Sequence, residues 1–147
     1  QGLREYQVPV EYGRSEIIRK GKKIAVLGVG SMIPSCMEIC KGLKDDGYDP
    51  TFVNARFVKP LDVDLLDELA KDHSLFVTVE ENVKSGGYGE HVSAYMEACH
   101  PEIRVLSAAV WDRFVPQGNV ESLRSRIGLG VEDIRQAIED SEELREQ

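Results

Sequence analysis

The hydrophobic residues of this chain fall into short apolar runs separated by longer amphipathic stretches. The first clear run, Lys23–Gly28, is almost continuously apolar, which is typical of a strand buried on both faces of a parallel sheet. Similar runs recur at Thr51–Phe57, Leu75–Val79 and Ile103–Leu106. Turn-forming or charged residues bound each run, so the pattern predicts four strands. A weaker patch at Glu16–Arg19 predicts a short edge strand before them.

A stretch with helical spacing follows each predicted strand. Ser31 suits an N-cap, Pro34 suits a first helical turn, and Gly47 is a stop signal. Asp62 and Asn119 are further cap candidates. Three predicted helices have apolar faces made of Ile33, Cys36, Met37, Cys40 and Leu43 in the first, Leu65, Leu66 and Leu69 in the second, and Val92, Tyr95, Met96 and Cys99 in the third. Two further helices are predicted at Val120–Ile127 and Val131–Glu143.

Strands that alternate with helices predict one α/β domain with a mainly parallel sheet covered on both sides. We expect the first two parallel strands to be neighbours and the third to return to the far side of the first. Such a reversal creates a crevice at the carboxyl ends of the strands. It would bring the Gly28–Ser31 turn beside Glu80–Asn82. The whole chain, 1–147, is expected to be a single domain, with an irregular lead-in at 1–15 and a charged tail at 140–147.

Composition narrows the classes of function. The chain has 147 residues and a formal net charge of -8. A negative charge of this size repels the phosphates of nucleic acid and argues against nucleic-acid binding. No apolar run is long enough for a membrane span, and the first residues do not resemble a signal peptide. Three cysteines without C-x-x-C spacing argue against a disulfide framework and a structural zinc site. We therefore expect a cytoplasmic protein.

The turn after the first buried strand contains two glycines of a dinucleotide-binding fingerprint, Gly28 and Gly30, followed by Ser31. The third glycine is missing, and Asn54 and Arg56 stand in the region where an acid would hold a ribose. Arg56 could instead meet a ribose 2′-phosphate. The favoured interpretation is that the glycines serve a tight turn between strand and helix.

Glu80 and Glu81 follow the third predicted strand, where α/β proteins often place a ligand. Neighbouring strand residues point to opposite faces, so these carboxylates cannot act as a pair on one bond. We expect one of them to accept hydrogen bonds from the amides of the following glycine loop, Gly86, Gly87 and Gly89. His91 could act as an acid or base, but a surface or interface role is favoured.

Several motifs together resemble one known family. They are Val53–Asp62, Val77–Val83, Gly86–Gly89, the Gly28–Ser31 turn and Asp112–Val115. The chain is similar over nearly its whole length to the C-terminal domain of 1-deoxy-D-xylulose-5-phosphate synthases, a branch of the transketolase superfamily. Gln117 departs from the histidine that is common there, which leaves the role of that loop open.

The resemblance implies a three-layer α/β/α fold whose five-stranded, mainly parallel sheet has one antiparallel edge strand. It also implies an enzyme that depends on thiamine diphosphate and magnesium and condenses pyruvate with glyceraldehyde 3-phosphate. In that family the cofactor site lies in the preceding domains and the C-terminal domain supports a homodimer. No catalytic, cofactor or metal residue is therefore expected in this chain, whose partners would be the preceding domains of the same polypeptide.

Two alternatives remain open at this point. The chain could be the corresponding part of a transketolase or of a 2-oxoacid dehydrogenase β subunit, or a free-standing interaction or ligand-binding module. Within the first interpretation, Phe57 and Pro60 are apolar residues in a strand-to-helix connection. We expect the surface around Arg56–Pro60 and Ser85–Gly89 to be a docking surface rather than a ligand pocket. Asn82 belongs to the same strand-end motif.

Overall fold

A computed structural model describes residues 14–56, 61–81, 87–110 and 131–146. Predictions that concern the lead-in up to residue 13, residues 57–60 with Phe57 and Pro60, residues 82–86 with Asn82 and Gly86, and the segment 111–130 lie outside these residues. The strands are β1 (Glu16–Arg19), β2 (Lys23–Gly28), β3 (Thr51–Asn54), β4 (His73–Glu81) and β5 (Arg104–Val110), and the α-helices are α1 (Ile33–Asp45), α2 (Val63–Ala70), α3 (Tyr88–Cys99) and α4 (Val131–Glu146).

The described strands form one five-stranded sheet in the order β1-β3-β2-β4-β5. The edge strand β1 pairs antiparallel with β3, and the other pairs are parallel. This confirms both the predicted fold class and the predicted reversal, since β3 and β4 lie on opposite sides of β2. Among the described residues, no helix is sufficiently long and apolar to cross a membrane.

Helices cover both faces of the sheet and bury two separate apolar layers. On one face α1 and α4 pack against the sheet through Cys36, Ile39, Leu43 and Ile138. On the other face α2 and α3 do so, and their apolar side chains meet the large buried ring of Phe76. Burial of a large apolar side chain contributes about 1.5–3 kcal/mol, so these two layers hold the sheet between the helices.

Some details of the predicted elements are wrong. Met37 is 58% exposed, whereas Ile39, which is outside the predicted apolar face of α1, is fully buried. Cys99 is exposed at the end of α3. Ser31 lies inside a short 3-10 turn, Gly30–Met32, and α1 begins after Met32, so Ser31 is not its N-cap.

Two predicted helix boundaries agree with the structure, and one predicted helix is longer than expected. Asp62 caps α2 by accepting the amide of Leu65, as predicted. Gly47 ends the turn after α1 with a φ of 99°, a conformation that favours glycine. Residues 140–146, expected to form a charged tail, continue α4, and Glu142 among them is buried.

The amino ends of the strands are joined by a buried polar network. The hydroxyl of Thr51 accepts a hydrogen bond from the Gly21 amide at 2.8 Å and lies 2.7 Å from Nε2 of His73. The other ring nitrogen of His73 lies 2.8 Å from the Leu69 carbonyl oxygen. Nδ1 also lies 2.6 Å from a carboxylate oxygen of Asp72, so a proton on Nδ1 has two acceptors, while Nε2 faces the Thr51 hydroxyl. The network therefore ties β3 and β4 to the end of α2.

Candidate functional site

The carboxyl ends of β2 and β4 meet at the predicted reversal of strand order. Gly28 lies opposite Val79 in the parallel register, and the Val29 amide donates to the Val79 carbonyl at 3.1 Å. The turn that follows β2 is therefore beside Glu80 and Glu81. We call this region, formed by the Gly28–Ser31 turn, the end of β4 and the start of α3, the carboxyl-end site.

The two glycines of the turn have different structural roles. A Cβ on Gly28 would lie 2.6 Å from Sγ of Cys36 and 3.1 Å from the end of the Ile33 side chain, so a side chain there would prevent α1 from packing closely on β2. Gly30 has open space around it but a φ of 56°. Both observations agree with the tight turn that the sequence favoured.

Glu80 is bound to the start of α3. Its two carboxylate oxygens accept the backbone amides of Tyr88 and Gly89, each at 2.8 Å. These amides are among the first of the helix, which have no partner within it, and the helix dipole favours a negative charge there. The prediction that one of the two glutamates accepts the glycine-loop amides is confirmed for Glu80, whereas Glu81 is exposed.

Gly89 allows this contact because it has no side chain. A Cβ at this position would lie 2.8 Å from Oγ1 of Thr78, 2.9 Å from Oε2 of Glu80 and 3.0 Å from Oγ of Ser107. Thr78 is fully buried, and its hydroxyl has no hydrogen-bond partner among the described residues. Three polar side chains therefore converge on the α-carbon of Gly89. Sequence reasoning missed Thr78 and Ser107 because their pattern is that of ordinary strand residues.

Arg56 is bound by residues of β3 and β1 and not directed toward the crevice between β2 and β4. It has a φ of 61°, and its amide donates to the side chain of Asn54 at 3.0 Å, which closes a tight turn after β3. Its guanidinium forms an ion pair with Glu16 at 2.8 Å. Arg56 thus joins the end of β3 to β1, and the structure does not aim it at a ribose phosphate.

Burial dominates the surroundings of the remaining titratable side chains near this site. Cys36 and Cys40 are both buried, which confirms their place on the apolar face of the first helix, and burial raises the pKa of each thiol to about 12. Burial also raises the pKa of Tyr88, and the charges of Asp62 and Glu80 raise it further, so this phenol stays neutral. Nε2 of His91 is buried and has no hydrogen-bond partner within the part of the chain that is described.

The carboxyl-end site can be tested against the diphosphate and magnesium that the resemblance implies. The amides at the start of α3, which would suit a phosphate, are already bound to the Glu80 carboxylate, whose charge repels a phosphate. In the described ranges no three His, Cys, Asp or Glu side chains are grouped to hold a metal ion. These residues do not fit the cofactor, and we assign no catalytic step to them.

Comparisons with known proteins agree with this architecture. Residues 13–134 match the family model described as "Transketolase, C-terminal domain". Two similar curated relatives are the 1-deoxy-D-xylulose-5-phosphate synthases of Lachnoclostridium phytofermentans, 39% identical over 90% of this chain, and of Dictyoglomus thermophilum, 39% identical over 93% of it. The chain spans 21% and 22% of the length of these two relatives.

Solved structures show the same fold. One, described as "Split gene transketolase, inactive beta4 tetramer", is 29% identical, with a TM-score of 0.75 over 91% of this chain and 44% of its own. The transketolase of Campylobacter jejuni is 17% identical, with a TM-score of 0.58 over 90% of this chain and 20% of its own. At that identity the second likeness concerns the fold alone.

Proposed function

The chain belongs to the transketolase C-terminal domain family, and on that premise we propose that it is the C-terminal domain of a 1-deoxy-D-xylulose-5-phosphate synthase. The whole enzyme would use thiamine diphosphate and magnesium to condense pyruvate with glyceraldehyde 3-phosphate in the cytoplasm, with release of carbon dioxide. Support comes from relatives that carry this name and align with about nine-tenths of the chain. The chain itself supplies no catalytic group in this proposal.

One observation carries the non-catalytic role. The carboxylate best placed for chemistry, Glu80, is bound at both oxygens by backbone amides of α3. A general acid or base must be free to exchange a proton with substrate, and a carboxylate fixed by two amides is suited to holding backbone in place. Glu80 therefore acts as a structural anchor for the segment that leads from β4 into α3.

The anchored segment also supports a docking role in the parent enzyme. Arg56 and the start of α3 lie at the same carboxyl edge of the sheet as the Gly28 turn. The adjoining sequence contains apolar Phe57 and Pro60 and the Gly86–Gly87 pair. In the proposal, these residues contact the preceding domains and help the enzyme to form a homodimer, because closely approaching backbone and apolar side chains suit a packed interface.

A chimera tests the identity of the parent enzyme. The C-terminal fifth of the Dictyoglomus thermophilum synthase is replaced by this chain, and formation of deoxyxylulose phosphate is measured beside a variant that lacks the fifth altogether. The proposal expects an active chimera and an inactive truncation. A folded chimera that is as inactive as the truncation would contradict it.

The split-gene transketolase supports a second candidate. That protein shares 29% identity and most of the fold, so this chain could instead complete a transketolase. The same replacement made in a transketolase discriminates the two, since transfer of a ketol unit should be restored only if this alternative is right. Calorimetry of the chain alone with thiamine diphosphate and magnesium tests the non-catalytic role, and saturable micromolar binding would overturn that role.

Phe57→Asp tests the docking surface separately. In the isolated chain the change should cost less than about 0.5 kcal/mol, as surface substitutions usually do. In the full-length enzyme it should weaken the dimer or lower activity, measured by ultracentrifugation and by product formation. An isolated chain that unfolds would instead put Phe57 in the core of the domain and end the docking proposal.

A further inference from the structure

A cavity of about 220 Å³ lies at the amino ends of the strands, at the edge of the sheet opposite the carboxyl-end site. Its volume is ample for a small metabolite, since one water needs only on the order of 10–15 Å³. The residues that line it come from the start of β2, the connection between α1 and β3, and the last turns of α4, and they are Lys22, Lys23, Ile24, Gly47, Tyr48, Asp49 and Glu142.

Glu142 gives the cavity a buried acidic wall. The residue is only 3% exposed, and its Oε2 is buried without a hydrogen-bond partner among the residues that the structure describes. A buried carboxylate oxygen without a donor is costly, and native proteins usually pair such an atom. The chemistry that satisfies it best is a positively charged N–H donor, such as a protonated amine.

The rim of the cavity has the opposite charge. Lys22 and Lys23 are both exposed there. The nearby carboxylate of Asp49 is already in an ion pair with Arg19 at 2.8 Å, so it does not neutralise these lysines. The rim therefore attracts an acid group, either a carboxylate or a phosphate.

The backbone of the rim is fixed before any ligand binds. The Lys22 amide donates to the Asp49 carbonyl at 2.7 Å, and the Lys23 amide donates to the Asp72 carbonyl at 3.0 Å. Lys23 has a φ of 73°, an uncommon conformation for a lysine, which these bonds hold in place. A wall that is already ordered reduces the entropy lost on binding.

We propose that this cavity binds a small zwitterion, with an ammonium group on Glu142 and an acid group between Lys22 and Lys23. The ligand class is that of amino acids and amino phosphates, whose opposite charges are a few bonds apart. The site is independent of the proposed synthase activity, because it lies at the other edge of the sheet. It is a binding site only, with no reaction assigned to it.

The experiment measures binding of zwitterions of increasing length to the 147-residue chain by NMR chemical-shift titration. The probes are glycine, β-alanine, γ-aminobutyrate and phosphoethanolamine, with butylamine and butyrate as single-charge controls. We expect saturable shifts at Gly47 and Tyr48, strongest for one spacing and weak for either control. The phosphate probe distinguishes an amino phosphate from an amino acid.

Two variants decide the role of Glu142. Glu142→Gln keeps the shape of the side chain but removes its charge, and it should weaken binding by at least about tenfold. Glu68→Gln removes the same charge from the exposed surface of α2 and should leave binding unchanged. Should Glu142→Gln fail to fold, Lys22→Gln serves instead, with weaker binding of the acid group expected.

The proposal is overturned by any of three results. The first is that no probe binds saturably, and the second is that Glu142→Gln and Lys22→Gln bind as the unchanged chain does. The third is that butylamine binds as well as the zwitterions, because an amine alone would then satisfy Glu142 without the rim.

Discussion

Glu80→Ala removes the carboxylate that accepts the amides of Tyr88 and Gly89, each at 2.8 Å. A hydrogen bond to a charged group contributes about 1.5–3 kcal/mol, and a helix cap about 1 kcal/mol. The two amides regain water once the carboxylate is gone, so the loss is smaller than the sum of two full bonds. We expect the free energy of unfolding to fall by about 2–4 kcal/mol.

Urea denaturation followed by circular dichroism measures this loss directly. For a chain of this length the melting temperature should drop by roughly 5–15 °C. Glu97→Ala, an exposed change on the same helix, is the matched control and should cost less than about 0.5 kcal/mol. Glu80→Gln should lie between the two, because its amide can accept one of the two bonds but not both.

The comparison between Glu80→Ala and Glu97→Ala is decisive. Equal stability of the two variants would show that the amides at the start of α3 gain nothing from the carboxylate. The interpretation of Glu80 as a structural anchor would then be refuted, whatever the fold of the rest of the chain.

Three further outcomes follow from the structure. Gly21→Ala should cost about 3 kcal/mol or more, because its Cβ would collide with the backbone carbonyl oxygens of Asp49 and Pro50. Gly30→Ala has open space and should cost about 1–2 kcal/mol for its positive φ, and urea denaturation measures both losses. Iodoacetamide at pH 8 should alkylate the exposed Cys99 but not the two buried thiols of α1, whose pKa burial raises to about 12, and mass spectrometry identifies the labelled residues. Label on the buried thiols in the native chain would contradict their burial. Burial first, and then the hydrogen bond and charge of Asp46, raise the pKa of Glu139, and the ion pair with Arg135 at 2.9 Å lowers it by less. The ionised form of Glu139 therefore opposes folding fully above the raised pKa, and the penalty vanishes below the pKa of the unfolded chain. Glu139→Gln should therefore raise the melting temperature at neutral pH and lose this advantage in acid, and a gain that is independent of pH would contradict the assignment.

The sequence predicted the fold because its signals were local and repeated. Continuous apolar runs such as Lys23–Gly28 identify buried strands, and a capping residue such as Asp62 identifies the start of a helix. The reversal of strand order also followed, since right-handed crossovers leave few alternatives. The prediction for Met37 was wrong because a helix turned slightly about its axis still fits much of the same apolar spacing, and only packing on the sheet decides which side faces inward.

The candidate sites depended more on tertiary contacts. The role of Glu80 could be predicted from the sequence, because an acid at a strand end before a glycine loop has backbone amides nearby. The buried carboxylate of Glu142 was not, since it stands among exposed charges of α4 in the sequence and looks like one of them. Thr51 and His73 were missed because twenty-two residues separate them, and nothing local indicates that they meet.

The strand order also fixes which parts of the domain open first. β2 and β4 are each paired on both sides and covered above and below by helices, whereas β1 pairs with a single strand of the described sheet and exposes Ile17 and Ile18. Amide protons of Val26 and Val77 should therefore exchange with deuterated water only when the whole domain unfolds, while those of β1 exchange through local fraying of the edge. The carboxyl-end site lies between two strands that are paired on both sides, so fraying of β1 leaves it assembled.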